Sequence, residues 1–174
     1  MFRLWNRILR MEESRLCKQV LLWDIGNSGL GWQPNIHTKP KLRSYIKFKR
    51  DIQTEYYIEC NLHKNVRSMI GQLRFRILTL HLETGRYYRK KVEERICQVC
   101  TLDEVEDEQH FLCQCTAYDN IRKEFYDYVQ SINDNFIIMN DDEKFMHLMA
   151  NCQKQLGKFL LEAWNVRTGI FFVR

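Results

Sequence analysis

The spacing Cys97-x2-Cys100-x9-His110-x4-Cys115 constrains this chain more than anything else in it. Two thiols separated by two residues fit on one tight turn, and an imidazole and a thiol separated by four fit on a single turn of helix or loop. Together they offer four soft donors to one tetrahedral point, a ligand set that suits zinc. Four protein ligands leave no coordination position for water, so the expected role is structural: the ion fixes residues 97–118 rather than activating a nucleophile. Cys113 competes with Cys115 as fourth ligand, the H-x4-C spacing being preferred over the tighter H-x2-C. The competing explanation is reduced cysteines in an apolar setting, where free cysteine is commonly found.

The chain has 174 residues, 45% of them hydrophobic, with two prolines and seven glycines, enough for one sizeable core in a single compact unit. Its longest apolar runs, such as Val20 to Trp23, Phe136 to Met139 and Ile170 to Val173, are four residues long, against about 18 for a membrane span. No membrane association is expected. Arg3, Arg7, Arg10, Glu12 and Glu13 interrupt the start, which argues against secretion and for a nuclear or cytoplasmic setting. The seven cysteines are then expected as thiols or metal ligands, as their odd number also suggests.

A formal charge of +5 hides a division. The first 96 residues carry 20 basic and 9 acidic side chains, a net of +11, and the remainder carries 7 and 13, a net of −6. The sign changes where the metal motif begins.

Hydrophobic periodicity predicts a mostly α fold, a helical bundle with an embedded zinc knuckle. Residues 1–25 read as two consecutive helices, and 26–40, with Gly26, Gly29, Gly31, Pro34 and Pro40, as a loop, giving an N-terminal arm over 1–40. Residues 41–96 form a basic helical region. It comprises a helix over 41–57 and a second whose buried face is Val66, Ile70, Leu73, Ile77 and Leu80, ending near Gly85. The knuckle occupies 97–118, and helices over 119–174 pack on it. The first has Tyr118, Ile121, Phe125, Tyr128 and Ile132 on one face. The second starts at Asn140 as N-cap and buries Phe145, Leu148 and Met149, and the last carries Cys152, Leu156, Phe159, Ala163 and Val166 and ends near Gly169. Cys17 and Cys152 read as core residues, and Cys60-x2-His63, with no second pair nearby, as a coincidence of spacing.

Arg86, Tyr87, Tyr88, Arg89, Lys90 and Lys91 interleave cations with aromatic rings, the combination that joins phosphate contacts to base stacking. Upstream, Lys41, Arg43, Lys47, Lys49 and Arg50 surround Tyr45 and Phe48, and Arg67 and Arg74 stand seven apart on one helical face. These residues predict a nucleic-acid surface, for RNA in preference to DNA, with salt-sensitive affinity. The acidic run from Asp103 to Glu108 reads as a solvated loop that would repel phosphates. Catalysis is not expected: there is no phosphate-binding glycine motif or nucleophile elbow, and Asp141 and Asp142 are explained as the first turn of a helix. No small-molecule substrate is implied.

At these residues the chain resembles the region downstream of the palm in reverse transcriptases of LINE-type (non-LTR) retrotransposons. The resemblance is carried by W-N-R from Trp5 to Arg7, R-L-C-K-Q-V-L-L-W-D from Arg15 to Asp24, L-R-S-Y from Leu42 to Tyr45 and F-R-I-L-T-L-H-L-E-T-G-R-Y from Phe75 to Tyr87. It continues through R-I-C-Q-V-C from Arg95 to Cys100, E-D-E-Q-H-F from Glu106 to Phe111 with Cys115 and Tyr118, and K-F-L-L-E-A-W from Lys158 to Trp164. It implies a thumb-like or connecting helical region followed by a zinc knuckle on Cys97, Cys100, His110 and Cys115, which in such enzymes helps hold element RNA and target DNA during target-primed reverse transcription. Cys113 stands where the family usually has a bulky apolar residue and Thr116 where it commonly has proline. Fingers and palm are absent from these residues, so the expected role is binding without polymerisation, alone or with a separately made polymerase core. The alternatives are a protein-interaction domain with an architectural zinc and a retroelement-derived fragment without a selected role.

Overall fold

A computed structural model describes residues 55–172, all within one compact unit. The expected arm over 1–40 and most of the basic helix over 41–57 lie outside the described residues. Those described are mostly α, and the β-type pairing among them is a single antiparallel bridge between Ile96 and Val105. None of their helices is long and apolar enough to cross a membrane.

A short helix α1 (Tyr56–Glu59) leads into α2 (Lys64–Arg74), whose first turn is capped by His63: its Nδ1 accepts from the Asn65 amide at 3.3 Å. The apolar face of α2 is Val66, Met69, Ile70 and Leu73, as the spacing predicts, but the helix does not continue through Ile77 to Gly85. It stops because Arg76 adopts a left-handed conformation (φ 54°). The Ile77 amide then donates to the Gln72 carbonyl at 2.8 Å and the Arg76 amide to Leu73 at 3.2 Å, the two bonds of a Schellman stop. Arginine in place of the usual glycine is held there by Glu108, whose Oε2 lies 2.5 Å from Arg76 Nη2 with both side chains buried. After this turn a short helix α3 (His81–Thr84) runs into the 3-10 turn Gly85–Tyr88.

Beyond the knuckle, α4 (Asp119–Ile132) buries Phe125 and Val129 with Arg122, while Tyr128 is half-exposed and Ile132 is 63% exposed. The buried stripe is thus rotated from the predicted one, because Arg122, not Ile121, takes the innermost position beside Tyr118. The predicted Asn140 cap is present as a full capping box at α5 (Asp141–Asn151), the Asn140 side chain accepting from the Glu143 amide and the Glu143 carboxylate from the Asn140 amide, both at 2.9 Å. The last helix, α6 (Gln153–Phe172), continues through Gly169, and its inner face is Leu156, Phe159, Leu160, Ala163 and Arg167, with Val166 partly exposed.

Helix α6 packs chiefly on α2, and Gly157 is the point of closest approach: a Cβ there would overlap the Val66 side chain and come within 3.1 Å of Ile70 Cδ1. Aromatic rings join the bundle to the knuckle. Phe111, next to the ligand candidate His110, is fully buried with ring centroids 5.0 Å from Tyr118, 6.4 Å from Phe159 and 6.3 Å from Trp164, and Phe159 stacks on Phe125 at 5.4 Å.

Candidate metal centre

Cys97 and Cys100 sit on a turn that opens at the Ile96–Val105 bridge, where the Cys97 amide donates to the Glu104 carbonyl at 2.7 Å. The Val99 and Cys100 amides point back at the Cys97 sulfur, and Asp103 closes the turn with φ 53°. The other pair comes from the turn His110–Gln114, which is wound with five-residue hydrogen bonding: the Cys115 amide donates to the His110 carbonyl at 2.8 Å. In an ordinary α-helix a residue five positions on lies about 140° round the axis. The wider winding is what brings Cys115 back beneath His110.

The four donor atoms of Cys97, Cys100, His110 and Cys115 all lie within 4.8 Å of one another, so these residues can hold a metal ion. Bonds of about 2.3 Å to sulfur and 2.0 Å to nitrogen imply tetrahedral edges of about 3.8 Å between sulfurs and 3.5 Å between sulfur and nitrogen. The structure has 3.9 Å between the Cys97 and Cys115 sulfurs and 3.4 Å between Cys100 Sγ and His110 Nε2. The two facing sulfurs share one hydrogen bond, which lowers the Cys97 thiol from its ordinary value and raises that of Cys115. Cys113, the alternate ligand, lies outside the cluster. Burial pushes its thiol up to about 12, and its electrostatic neighbours are Tyr126, Asp141, Arg122 and Lys144.

Side chains around the donors fix them in place. Glu104 Oε2 lies 3.3 Å from His110 Nδ1, which leaves Nε2 to face the cluster, and Asp107 Oδ1 accepts from the His110 amide at 2.8 Å. Glu106 is fully buried. One carboxylate oxygen is 3.6 Å from Cys97 Sγ and accepts from Arg167 Nη1, and the other accepts from Arg167 Nη2 at 2.9 Å and from the His81 amide at 2.6 Å. Burial pushes its carboxyl up to about 7, against the pull of Arg167. Arg122 donates to the carbonyls of Leu112 at 3.0 Å and Cys115 at 2.7 Å.

The acidic run is therefore not the solvated loop its composition suggests: Glu106 and Glu108 are consumed by buried arginines, Asp107 caps a turn, and only Asp103 and Glu104 are exposed. Sequence reading missed Arg76 and Arg167 as their counterparts. The signal was available for Arg167, which interrupts an otherwise apolar helical stripe, where an unpaired cation is too costly to leave.

The basic and aromatic residues divide. Tyr87 and Tyr88 are 73% and 77% exposed, and Arg86, Arg89 and Lys91 are exposed with them on and after the 3-10 turn. Arg86 pairs loosely with Glu83 at 3.2 Å, and Lys90 turns its ammonium to His81 Nε2 at 3.3 Å. Arg74 is not at the surface as predicted: it is 3% exposed, its guanidinium is bound by Glu55 at 2.5 Å and by the Met149 carbonyl, and it stacks 5.2 Å over Tyr57. Arg67 is half-buried on α2. Lys41, Arg43, Lys47 and Arg50 lie outside the described residues. His63 spends its Nδ1 on the α2 cap, and no grouping of three or more metal-type ligands among the described residues includes it or Cys60. Asp141 and Asp142 occupy the first turn of α5, where Asp141 accepts from Gln114 at 3.1 Å. No protein-family model, curated protein or solved structure matches the chain.

Proposed function

We propose that this chain is a zinc-stabilised RNA-binding module, resembling the tail of a LINE-type reverse transcriptase and acting without a polymerase site of its own. The observation that carries the reading is the turn over residues 85–91, where two adjacent tyrosines stand in solvent among Arg86, Arg89 and Lys91, immediately before the metal knuckle. A tyrosine leaves water-excluded packing at the cost of its hydrophobic burial, and two neighbours doing so on a well-anchored turn make a platform on which unpaired bases can stack while the cations meet phosphates. Three sulfurs and one nitrogen in tetrahedral reach support zinc as the ion, in a role confined to holding the fold.

The test is RNA affinity of the zinc-loaded chain against an unstructured oligonucleotide over a salt series. Affinity should fall steeply with salt, and Arg89→Ala with Lys91→Ala should flatten the slope by about two counterions. Tyr87→Ala and Tyr88→Ala should each cost about 1–3 kcal/mol with the slope unaltered. Binding that ignores both salt and the tyrosines would overturn the reading and favour a protein partner for the same face.

A further inference from the structure

The tyrosine turn and the metal knuckle are tied together through a buried carboxylate that the expected chemistry of neither requires. Glu106 belongs to the knuckle, yet its side chain accepts from the His81 amide at 2.6 Å and its main-chain carbonyl from the Leu82 amide at 3.1 Å. These are the first two residues of α3, which runs directly into Gly85–Tyr88. The same carboxylate lies 3.6 Å from the sulfur of Cys97 and is gripped through both oxygens by Arg167 of α6.

A second set of bonds closes the ring. His81 Nδ1 reaches the carbonyl of Ile96, the residue before the first ligand, at 2.6 Å. Arg95 donates to the Lys90 carbonyl from Nη2 at 2.7 Å and Nε at 3.1 Å, and to the Leu82 carbonyl from Nη1 at 2.9 Å. The two ends of the tyrosine turn are thus held by one guanidinium that itself lies two residues before Cys97. Gly85 makes room for it: a Cβ there would come within 2.7 Å of Arg95 Cγ.

We infer that Glu106 and Arg95 are positioning residues for the Tyr87–Tyr88 turn, so that metal at the knuckle and RNA on the turn bind with positive coupling. The inference rests on the RNA-binding reading above and adds its regulation: an occupied metal site fixes Cys97 and its neighbours, which fixes Glu106 and Arg95, which holds the two rings in their stacking orientation. By reciprocity, RNA must then retain the metal against a competing chelator.

The experiment uses the full chain loaded with Co2+, whose absorption reports the ligand set, and an unstructured RNA oligonucleotide. Two variants separate positioning from charge. Glu106→Gln removes a negative charge, so electrostatics alone predicts tighter RNA binding; the amide keeps one acceptor oxygen but sets an NH2 donor where the other oxygen accepts from Arg167 Nη1, or against the His81 amide if flipped, so positioning predicts weaker binding. Arg95→Lys keeps its charge but loses the fork that spans Lys90 and Leu82. Each should weaken RNA binding at least about fivefold with the Co2+ spectrum and helicity unaltered. In a Tyr87→Ala, Tyr88→Ala background neither should cost anything further. Saturating RNA should raise the chelator concentration needed to extract Co2+ from the unsubstituted chain by the factor by which Co2+ raises RNA affinity.

If Glu106→Gln loses the metal or the fold, Arg95→Lys and the chelator measurement carry the decision. Tyrosine-dependent RNA binding untouched by Arg95→Lys, and equal metal retention with and without RNA, would overturn the inference alone. An unsubstituted chain that binds no RNA would overturn the functional reading as well.

Discussion

A guanidinium taken out of water must recover its hydration from partners or cost several kcal/mol. Arg76, Arg122 and Arg167 recover it at or beside the knuckle: Glu108 answers the first, the carbonyls of Leu112 and Cys115 with the Asp119 carboxylate the second, Glu106 the third. Arg167→Ala should therefore destabilise the chain by about 3–5 kcal/mol, measured by urea unfolding, because it leaves the Glu106 carboxylate buried without its cation. The ligand set makes a sharper prediction. Cys115→Ser should abolish stoichiometric metal on purification, whereas Cys113→Ser, outside the cluster, should keep one ion per chain by metal analysis. At this scale the donors were legible in the sequence because ligand chemistry permits few residue types at few spacings. Their supporting acids were not, since Glu106 and Glu108 look identical to exposed Glu104 until the fold brings an arginine to each. Arg74 was misread for the same reason: a cation's position on a helix face says nothing about whether Glu55 will cover it.

Helices were legible in kind and misjudged at their ends. The apolar spacing of α2 and the Asn140 capping box are local signals, and both are found where expected. Asn140→Ala should cost about 1 kcal/mol in thermal or denaturant unfolding, as loss of an N-cap does. The early end of α2 has no local signal: arginine is a good helix former, and only its tertiary pairing with Glu108 makes a left-handed residue tolerable at position 76. The α2–α6 contact is similar. Gly157 reads as a weak point within a helix, yet it is what lets the two backbones approach, so Gly157→Ala should destabilise by about 1–3 kcal/mol despite alanine's better helix propensity. Stabilisation by that substitution in a denaturant titration would show that α6 does not sit against Val66 and Ile70 as described.

On the scale of the whole molecule, a metal held by the four donors would be a source of order comparable to the apolar core. Structural zinc contributes about 10–16 kcal/mol of apparent binding free energy in small domains near neutral pH, against a net folding stability of about 5–15 kcal/mol for a typical domain. Chelation should accordingly lower helicity in far-UV circular dichroism beyond the few residues of the knuckle, and added Zn2+ should restore it. Retention of full helicity and an unchanged melting temperature without metal would mean that the core suffices by itself. The charge division of the chain acquires a physical form at this scale as well. Glu108 of the knuckle is neutralised by Arg76 from before residue 97 and Glu106 by Arg167 from the last helix, so the acidic run's formal charge overstates how repellent the knuckle is to a polyanion.

The ring of Phe111 has a consequence for anyone wishing to move this metal motif. Its four donors span few enough residues to be excised as a peptide or spliced into another scaffold, as small metal fingers commonly are. But the residue beside His110 is lodged among Tyr118, Phe159 and Trp164, and the last two belong to a helix that begins some forty positions downstream. A transplanted motif would arrive with its plug and without its socket. The portable unit is the knuckle together with α4, α5 and α6, because the helices between also serve it: Arg122 binds the Leu112 and Cys115 carbonyls and Phe125 stacks on Phe159.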